Sequence, residues 1–222
     1  VLVWFFMKLD KDHEKNVVLD KISVRQIIEV IKLPSVLLLM IIVLCAYMGY
    51  KTTDIISLYA KEIMLYDQVE SAQIATFLLY ARPVISIIIA VFLYKLKGSL
   101  LLIYGFVISF LSALLFSMDI ISHSATFLFI ISILILAIGV YGLRVLYFSV
   151  MEKGQIPLIY TGTAVGIISV SGYAPDIFSG PLIGYFLENF EGKDGYQYVF
   201  LILSGFSFIG GIASWKYHIL YK

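Results

Sequence analysis

Apolar residues dominate the chain in long runs, which short polar, glycine or proline segments separate. A helix that crosses a hydrocarbon layer about 30 Å thick needs about 20 predominantly apolar residues. Six runs have this length, with predicted bounds of 35–60, 72–93, 99–118, 125–148, 161–187 and 196–217. The pattern therefore predicts an all-α polytopic membrane protein with a six-helix bundle over residues 35–222.

A charged segment, residues 7–34, precedes the first predicted transmembrane helix. Its second part has four apolar residues at the i, i+3, i+4, i+7 spacing of an amphipathic helix: Val24, Ile27, Ile28 and Ile31. We expect a linker helix on the inner membrane surface, with a partner-binding site as the alternative. Ahead of this segment, residues 1–6 are predicted to be the last turns of an earlier apolar helix.

Composition favours the bilayer as the solvent and excludes several other classes of protein. With 61% hydrophobic residues, 14% charged residues and a mean hydropathy of +0.97, the chain exceeds what a soluble domain of 222 residues buries. A net charge of +1 gives no overall field for nucleic acid. The single cysteine, Cys45, allows no intramolecular disulfide and no thiolate metal cluster.

Motifs for catalysis and for cofactor binding are absent from the sequence. We find no glycine-rich phosphate loop, no serine nucleophile elbow and no histidine pair at metal-ligand spacing. We therefore expect neither an enzyme nor a bound cofactor or metal.

Positive residues predict the orientation, because lysine and arginine resist translocation across the membrane. The loops on one side contain eleven of them: Lys8, Lys11, Lys15, Lys21, Arg25, Lys32, Lys95, Lys97, Lys153, Lys216 and Lys222. The loops on the other side contain only Lys61 and Lys193. We expect the segment 7–34 and the C-terminus to be cytoplasmic.

Charged residues occur inside four of the six predicted helices. They are Lys51, Asp54, Arg82, Arg144 and Asp176. Each costs about 2.5 to 3.5 kcal/mol at the bilayer centre, so each needs a partner or a hydrated cavity. Lys51 and Asp54 share a helical face and can form a local ion pair. Two of these charges have a purely structural role as the alternative to a binding site. Arg82 would form a bridge to Asp176 or to another part of the protein, and Arg144 would extend toward the membrane surface.

The fifth predicted helix is rich in glycine and contains two prolines. Pro175 removes a helical hydrogen bond directly before Asp176, so we expect an interruption beside a carboxylate. Ser169, Gly172 and Tyr173 share the face of Asp176. The glycines should let neighbouring backbones approach closely. Such interrupted helices are typical of transporter binding sites, although a kink that serves only packing or rocking is the alternative.

Several segments resemble the major facilitator superfamily, whose members have two six-helix halves joined by a cytoplasmic loop. VIKLP at residues 30–34 and SGPLIGYFLE at residues 179–188 are similar to segments at helices 7 and 11 of that family. MEKGQIP at 151–157, followed by TGTAVG at 161–166, looks like the helix 10 to 11 junction of its organic-anion and organophosphate branches. The chain thus resembles the end of helix 6, the loop and helices 7 to 12.

This resemblance implies that helices 7, 8, 10 and 11 surround the transport cavity and that helices 9 and 12 face lipid. The charged residues fall on the four helices that the family places at the cavity. The implied partner is the N-terminal six-helix half of the same protein. The implied location is the plasma (inner) membrane.

We therefore expect a secondary transporter that moves a small solute by alternating access, as an ion-coupled symporter or antiporter. An organic or inorganic anion is the favoured substrate, because the arginines and the lysine supply fixed positive charge. The candidate substrate-binding residues are Arg82, Lys51, Tyr47, Tyr173 and Arg144, and the candidate proton-coupling residues are Asp176 and Asp54. A proton-coupled sugar or drug carrier is one alternative, and a non-transporting receptor or scaffold is another.

Overall fold

The structure, a computed structural model, is entirely helical over the residues that it describes. No strand occurs among them. The predicted end of helix 6 at residues 1–6, and the following segment to residue 23, lie outside the described residues. The described residues are 24–93, 96–118, 120–121, 123 and 125–221.

Nine α-helices are found in this part of the chain, and short 3-10 turns connect some of them. The helices are α1 (Val24–Ile31), α2 (Pro34–Thr52), α3 (Ile56–Glu62), α4 (Gln68–Leu93), α5 (Gly98–Ser117), α6 (Thr126–Ser149), α7 (Thr161–Tyr173), α8 (Pro175–Asn189) and α9 (Lys193–Leu220).

Five apolar helical segments of the described chain are long enough to cross a membrane. They correspond to five of the six predicted spans, and their bounds agree with the prediction to within a few residues. The remaining predicted span, 161–187, is divided into α7 and α8, which follow one another across Ala174. The prediction of an all-α polytopic membrane protein is confirmed.

The first span, Pro34–Glu62, contains an irregular turn that the apolar pattern did not predict. The α-helix ends at Thr52 and continues as a 3-10 turn over Thr53–Ile55 before α3 begins. The hydroxyls of Thr52 and Thr53 donate to the carbonyls of Met48 and Tyr50, at 3.0 and 2.7 Å. Such bonds from side chain to backbone compete with the regular helical pattern and bend it.

The predicted interruption beside Asp176 is confirmed at Ala174, where α7 ends and α8 begins. At Gly172 a neighbouring helix approaches through a side chain, since an added methyl group would strike the side chain of Val43 in α2 and no described backbone atom of another helix lies within 4 Å. The expected close backbone approach is therefore not found at this glycine. It does not occur at four other glycines, whose added methyl groups would meet no described atom within 4 Å: Gly162, Gly166, Gly180 and Gly184. These four glycines therefore lie on a face without neighbours in the described chain.

The long helices pack around α2, which contacts α6, α7, α8 and α9. At one end of the bundle, Tyr59 packs against aromatic rings of three other helices: Phe116, Phe129, Tyr196 and Phe200. Toward the other end, side chains of α2, α5, α6, α7 and α9 form a second apolar core. Two cores thus lie above and below the level at which the charged residues interrupt the bundle.

The predicted amphipathic helix is present as α1, but its packing differs from the predicted stripe. Ile28 of the stripe is exposed, whereas Val30, outside the stripe, is fully buried. The reason is that α1 contacts α2 and α7, which turns Val30 toward the bundle.

Close packing of α5 and α6 depends on glycine. A methyl group added at Gly139 would lie 2.9 Å from the backbone nitrogen of Ser109 and 3.1 Å from the carbonyl oxygen of Gly105. Backbone atoms cannot rotate away, so the two helices would have to separate. We expect Gly139→Ala to cost about 1 to 3 kcal/mol of stability and to lower the unfolding temperature of the purified protein.

The matched control is Gly205→Ala on an exposed face of α9, where an added methyl group meets no described atom within 4 Å. It should leave the unfolding temperature unchanged or slightly higher, because alanine favours a helix. Size-exclusion chromatography after heating in detergent measures both variants. Equal unfolding temperatures for the two would contradict the close packing of α5 on α6.

Candidate functional site

The C-terminal end of α2 and the turn after it present four polar residues on one face. They follow the i, i+3, i+4, i+7 spacing of successive helical turns: Tyr47, Tyr50, Lys51 and Asp54. Lys51 and Asp54 were predicted from the sequence to share this face. The 3-10 turn that begins at Thr53 follows Lys51 closely, so the irregular backbone and the charges coincide.

Lys51 is the cation that ties α2 to α8. Its Nζ lies 3.1 Å from Oδ1 of Asp176 and 3.9 Å from Oδ2 of Asp54. The hydroxyl of Tyr47 donates a 3.0 Å hydrogen bond to Oδ2 of Asp176. Two residues of α2 therefore hold the Asp176 carboxylate next to the helix break at Ala174.

Arg82 of α4 pairs with Asp54, so Asp176 is not its ion-pair partner here. Its Nη2 lies 3.5 Å from Oδ1 of Asp54, and its Nη1 donates to the hydroxyl of Tyr50. Lys51 already occupies the Asp176 carboxylate. The buried Nε of Arg82 has no well-aligned hydrogen-bond acceptor among the described residues.

Arg144 of α6 lies over two of the same tyrosines. Its guanidinium carbon is 4.1 Å from the centre of the Tyr50 ring and 5.5 Å from the centre of the Tyr47 ring. Arg82 lies over the Tyr50 ring as well, at 4.6 Å. A ring face attracts a cation because the aromatic quadrupole is negative there. Both arginines are thereby placed around Tyr50.

Tyr173 of α7 completes the cluster on the other side of Tyr47. The two ring centres are 5.3 Å apart, with an interplanar angle of 73°. The Tyr173 side chain is exposed. All seven residues that the sequence analysis proposed for the site therefore meet in one cluster, which we call the polar cluster: Tyr47, Lys51, Asp54, Arg82, Arg144, Tyr173 and Asp176.

A cavity of about 260 Å³ opens within the polar cluster. It lies between α2, α4 and α6, and both arginines line it. The lining residues are Tyr50, Arg82, Pro83, Ser86, Tyr141 and Arg144. The cavity is therefore bordered by two guanidinium groups and by hydroxyl groups, and no carboxylate lines it.

Larger hollows elsewhere on the described chain have a different chemistry. A groove of about 520 Å³ between α4 and α6 is lined by apolar and aromatic side chains without a charged group. A hollow of about 380 Å³ at the start of α4 contains Glu70, but that carboxylate accepts a hydrogen bond from the backbone of Asp67 in a capping box. The smaller cavity is the one that brings several charged groups together.

Besides Pro83, three hydroxyl-bearing residues that line the cavity were not predicted from the sequence: Tyr50, Ser86 and Tyr141. Each lies three or four positions from a residue that the analysis did single out, so helical spacing could have identified them. Tyr50 follows Tyr47, Ser86 follows Arg82, and Tyr141 precedes Arg144. The Tyr141 ring centre lies 5.5 Å from the guanidinium carbon of Arg82.

The histidines that the structure describes have structural contacts. Nδ1 of His123 lies 2.6 Å from the carbonyl oxygen of Met64, and Nδ1 of His218 lies 2.7 Å from the hydroxyl of Ser99. Within the described ranges, no group of three histidine, cysteine or acidic residues is placed to hold a metal ion.

Comparison with curated proteins identifies two partial relatives in Escherichia coli (strain K12). The chain is 34% identical over 70 residues to the inner membrane protein YqcE, which is 32% of this chain and 16% of that protein. It is 36% identical over 75 residues to the inner membrane protein YihN, which is 34% of this chain and 18% of that protein. No family profile and no solved structure matches the chain.

The fold and these relatives together define the class of protein. The chain is an all-α polytopic membrane protein, and the two proteins that it partly matches are inner membrane proteins. The matched segments cover less than a fifth of either relative.

The shared lysine gives a prediction about stability. Lys51→Gln leaves the carboxylates of Asp54 and Asp176 without their common cation, so the unfolding temperature should fall. Adding Asp176→Asn removes one orphaned carboxylate and should recover part of the loss. The measurement is a double-mutant cycle of unfolding temperatures in detergent.

The control is Arg25→Gln, which breaks a pair of exposed residues in α1, Arg25 and Glu29. An exposed i, i+4 pair contributes little, so this variant should unfold like the wild type. If the double variant loses as much as the two single variants added together, Lys51 and Asp176 are not coupled.

Proposed function

We propose that this protein is a secondary transporter of a small organic or inorganic anion. The observation that supports this function is the cavity bordered by Arg82 and Arg144 within a helical bundle of membrane-spanning length. Guanidinium groups bind oxyanions through charge-assisted hydrogen bonds, which are strong where water is scarce. A charged group inside a membrane helix is costly, and a bound anion would offset part of that cost.

The charge balance of the polar cluster also favours an anion. Three cations, Lys51, Arg82 and Arg144, face two carboxylates, Asp54 and Asp176. One positive charge is therefore in excess, and a bound anion would offset it. A neutral sugar would leave this charge uncompensated, and a cationic drug would add to it.

The backbone near the polar cluster supports alternating access as the mechanism. Irregular backbone lies beside charged residues in two spans: the 3-10 turn after Lys51 and the break before Asp176. Next to Arg82, Pro83 lies within the continuous helix α4 and has no backbone N–H to donate. Helix breaks at membrane depth are typical where transporters bind substrate and ions. In the proposed cycle, Asp176 and Asp54 exchange protons or cation partners as the helices change position.

We further propose that the protein works in the inner membrane, with the segment 7–34 and the C-terminus in the cytoplasm. A second six-helix half would close the cavity from the opposite side, as the resemblance to the major facilitator superfamily implies. The coupling is symport or antiport with an ion or a second solute.

The test is anion uptake by proteoliposomes that contain the full-length protein, with the second six-helix half that the proposed cycle requires. We expect uptake of at least one of radiolabelled sulfate, phosphate, acetate and succinate. Arg82→Lys keeps the positive charge but loses the planar fork that binds an oxyanion bidentately. This variant should insert normally, because its charge can still pair with Asp54, and its uptake should fall at least about tenfold.

Arg25→Lys is the matched control, since the Arg25 side chain lies on α1 far along the chain from the cavity and is exposed. It should transport like the wild type. Unchanged uptake by Arg82→Lys would contradict the anion site. Absence of uptake for all four anions would instead favour a sugar or drug carrier, or a receptor or scaffold with structural ion pairs.

A further inference from the structure

The three cations of the polar cluster differ in how many carboxylate and hydrogen-bond partners the protein supplies to each of them. Lys51 is held by the Asp176 carboxylate at 3.1 Å and also faces the Asp54 carboxylate at 3.9 Å. It does not line the cavity. Its charge is therefore compensated by the protein, and an incoming anion would have to compete with two carboxylates.

Arg82 is only partly satisfied. Asp54 lies at 3.5 Å from one terminal nitrogen, which is a long contact for a charge-assisted hydrogen bond. The hydroxyl of Tyr50 accepts from the other terminal nitrogen. Because the side chain lines the cavity, a ligand there can compete with the weak Asp54 contact.

Arg144 has the fewest polar partners of the three cations. It forms neither an ion pair nor a hydrogen bond to the described residues, and its contacts are with tyrosine rings. Its guanidinium group has five N–H donors, which a ring contact does not use as conventional hydrogen bonds. An arginine with unused donors at the edge of a cavity is suited to bind an oxyanion.

Ser86 adds a neutral donor to the same cavity. It lies one helical turn after Arg82 on α4, and its half-buried side chain lines the cavity. Its hydroxyl can donate one hydrogen bond. Together these residues supply donors from α4 and α6, and both arginines lie close to the Tyr50 ring of α2.

We propose that Arg82, Arg144 and Ser86 form the anion subsite, and that Lys51 is excluded from it and serves the ion pair with Asp176. The ligand is an oxyanion, because several N–H and O–H donors need more than one acceptor atom. A volume of about 260 Å³ holds an oxyanion group with a few further atoms. This inference rests on the proposed function and specifies which of the candidate residues touch the substrate.

The experiment compares variants that keep the net charge. Arg144→Lys keeps the charge of the cavity but loses the fork, and Lys51→Gln combined with Asp176→Asn removes an ion pair without changing the net charge. Binding of sulfate, inorganic phosphate and acetate to the purified protein in nanodiscs is measured as ligand-dependent thermal stabilisation, with chloride as the reference anion.

We expect saturable stabilisation by at least one of the three oxyanions. For that anion, Arg144→Lys should weaken binding at least about tenfold, and Ser86→Ala about threefold to tenfold. The double variant of Lys51 and Asp176 should bind within about threefold of the wild type, because it loses no contact with the ligand.

The possible failures are distinguishable. If an oxyanion binds and Arg82→Lys weakens its binding, but Arg144→Lys binds like the wild type, the anion site stands and the assignment of Arg144 is wrong. If the double variant loses binding as strongly as Arg144→Lys, Lys51 belongs to the subsite and the inference is overturned. If none of the three oxyanions stabilises the wild type, the inference is overturned, whereas the proposed function is decided by the uptake of the four anions.

Discussion

Lys51 lies between the carboxylates of Asp176 and Asp54, and the polar centre of the bundle depends on this placement. Through Asp176 it connects α2 to α8, and through Asp54 it leads to Arg82 on α4. Opposite charges thus alternate from helix to helix, which limits the cost of each charge in a medium of low dielectric constant. Because the carboxylates are used in this chain of ion pairs, Arg144 is left with aromatic contacts, and the cavity beside it is lined by positive charge.

The backbone adapts to these charges at the same level of the bundle. The threonine hydroxyls after Lys51 donate back to helix carbonyls beside a 3-10 turn, and Asp54 lies within that turn. Pro175 begins a new helix, so Asp176 lies in the first turn of α8. Helix interruptions beside charged residues suit a bundle that changes between two arrangements of the same helices.

The sequence allowed the helices and the members of the polar cluster to be predicted, because both follow from local patterns. Hydropathy and length determine a membrane span, and a charge within a span needs a partner wherever the helix packs. Which carboxylate pairs with which cation could not be predicted from local patterns. Whether Asp54 or Asp176 meets Arg82 depends on the rotation of α4 about its axis, which its contacts with α3 and α6 determine. The burial of Val30 rather than Ile28 has the same origin, since tertiary contacts of α1 outweigh its own periodicity.

The central claim is that the cavity at Arg82 and Arg144 is accessible and attracts anions. The most direct measurement is the labelling rate of Ser86→Cys, since the only native cysteine, Cys45, is buried. A negatively charged methanethiosulfonate reagent should react about tenfold faster than a positively charged one of similar size, because positive charge concentrates anions in the cavity. Sulfate or phosphate should slow that reaction in a saturable manner. Faster labelling by the cationic reagent, or labelling that no oxyanion slows, would contradict the account.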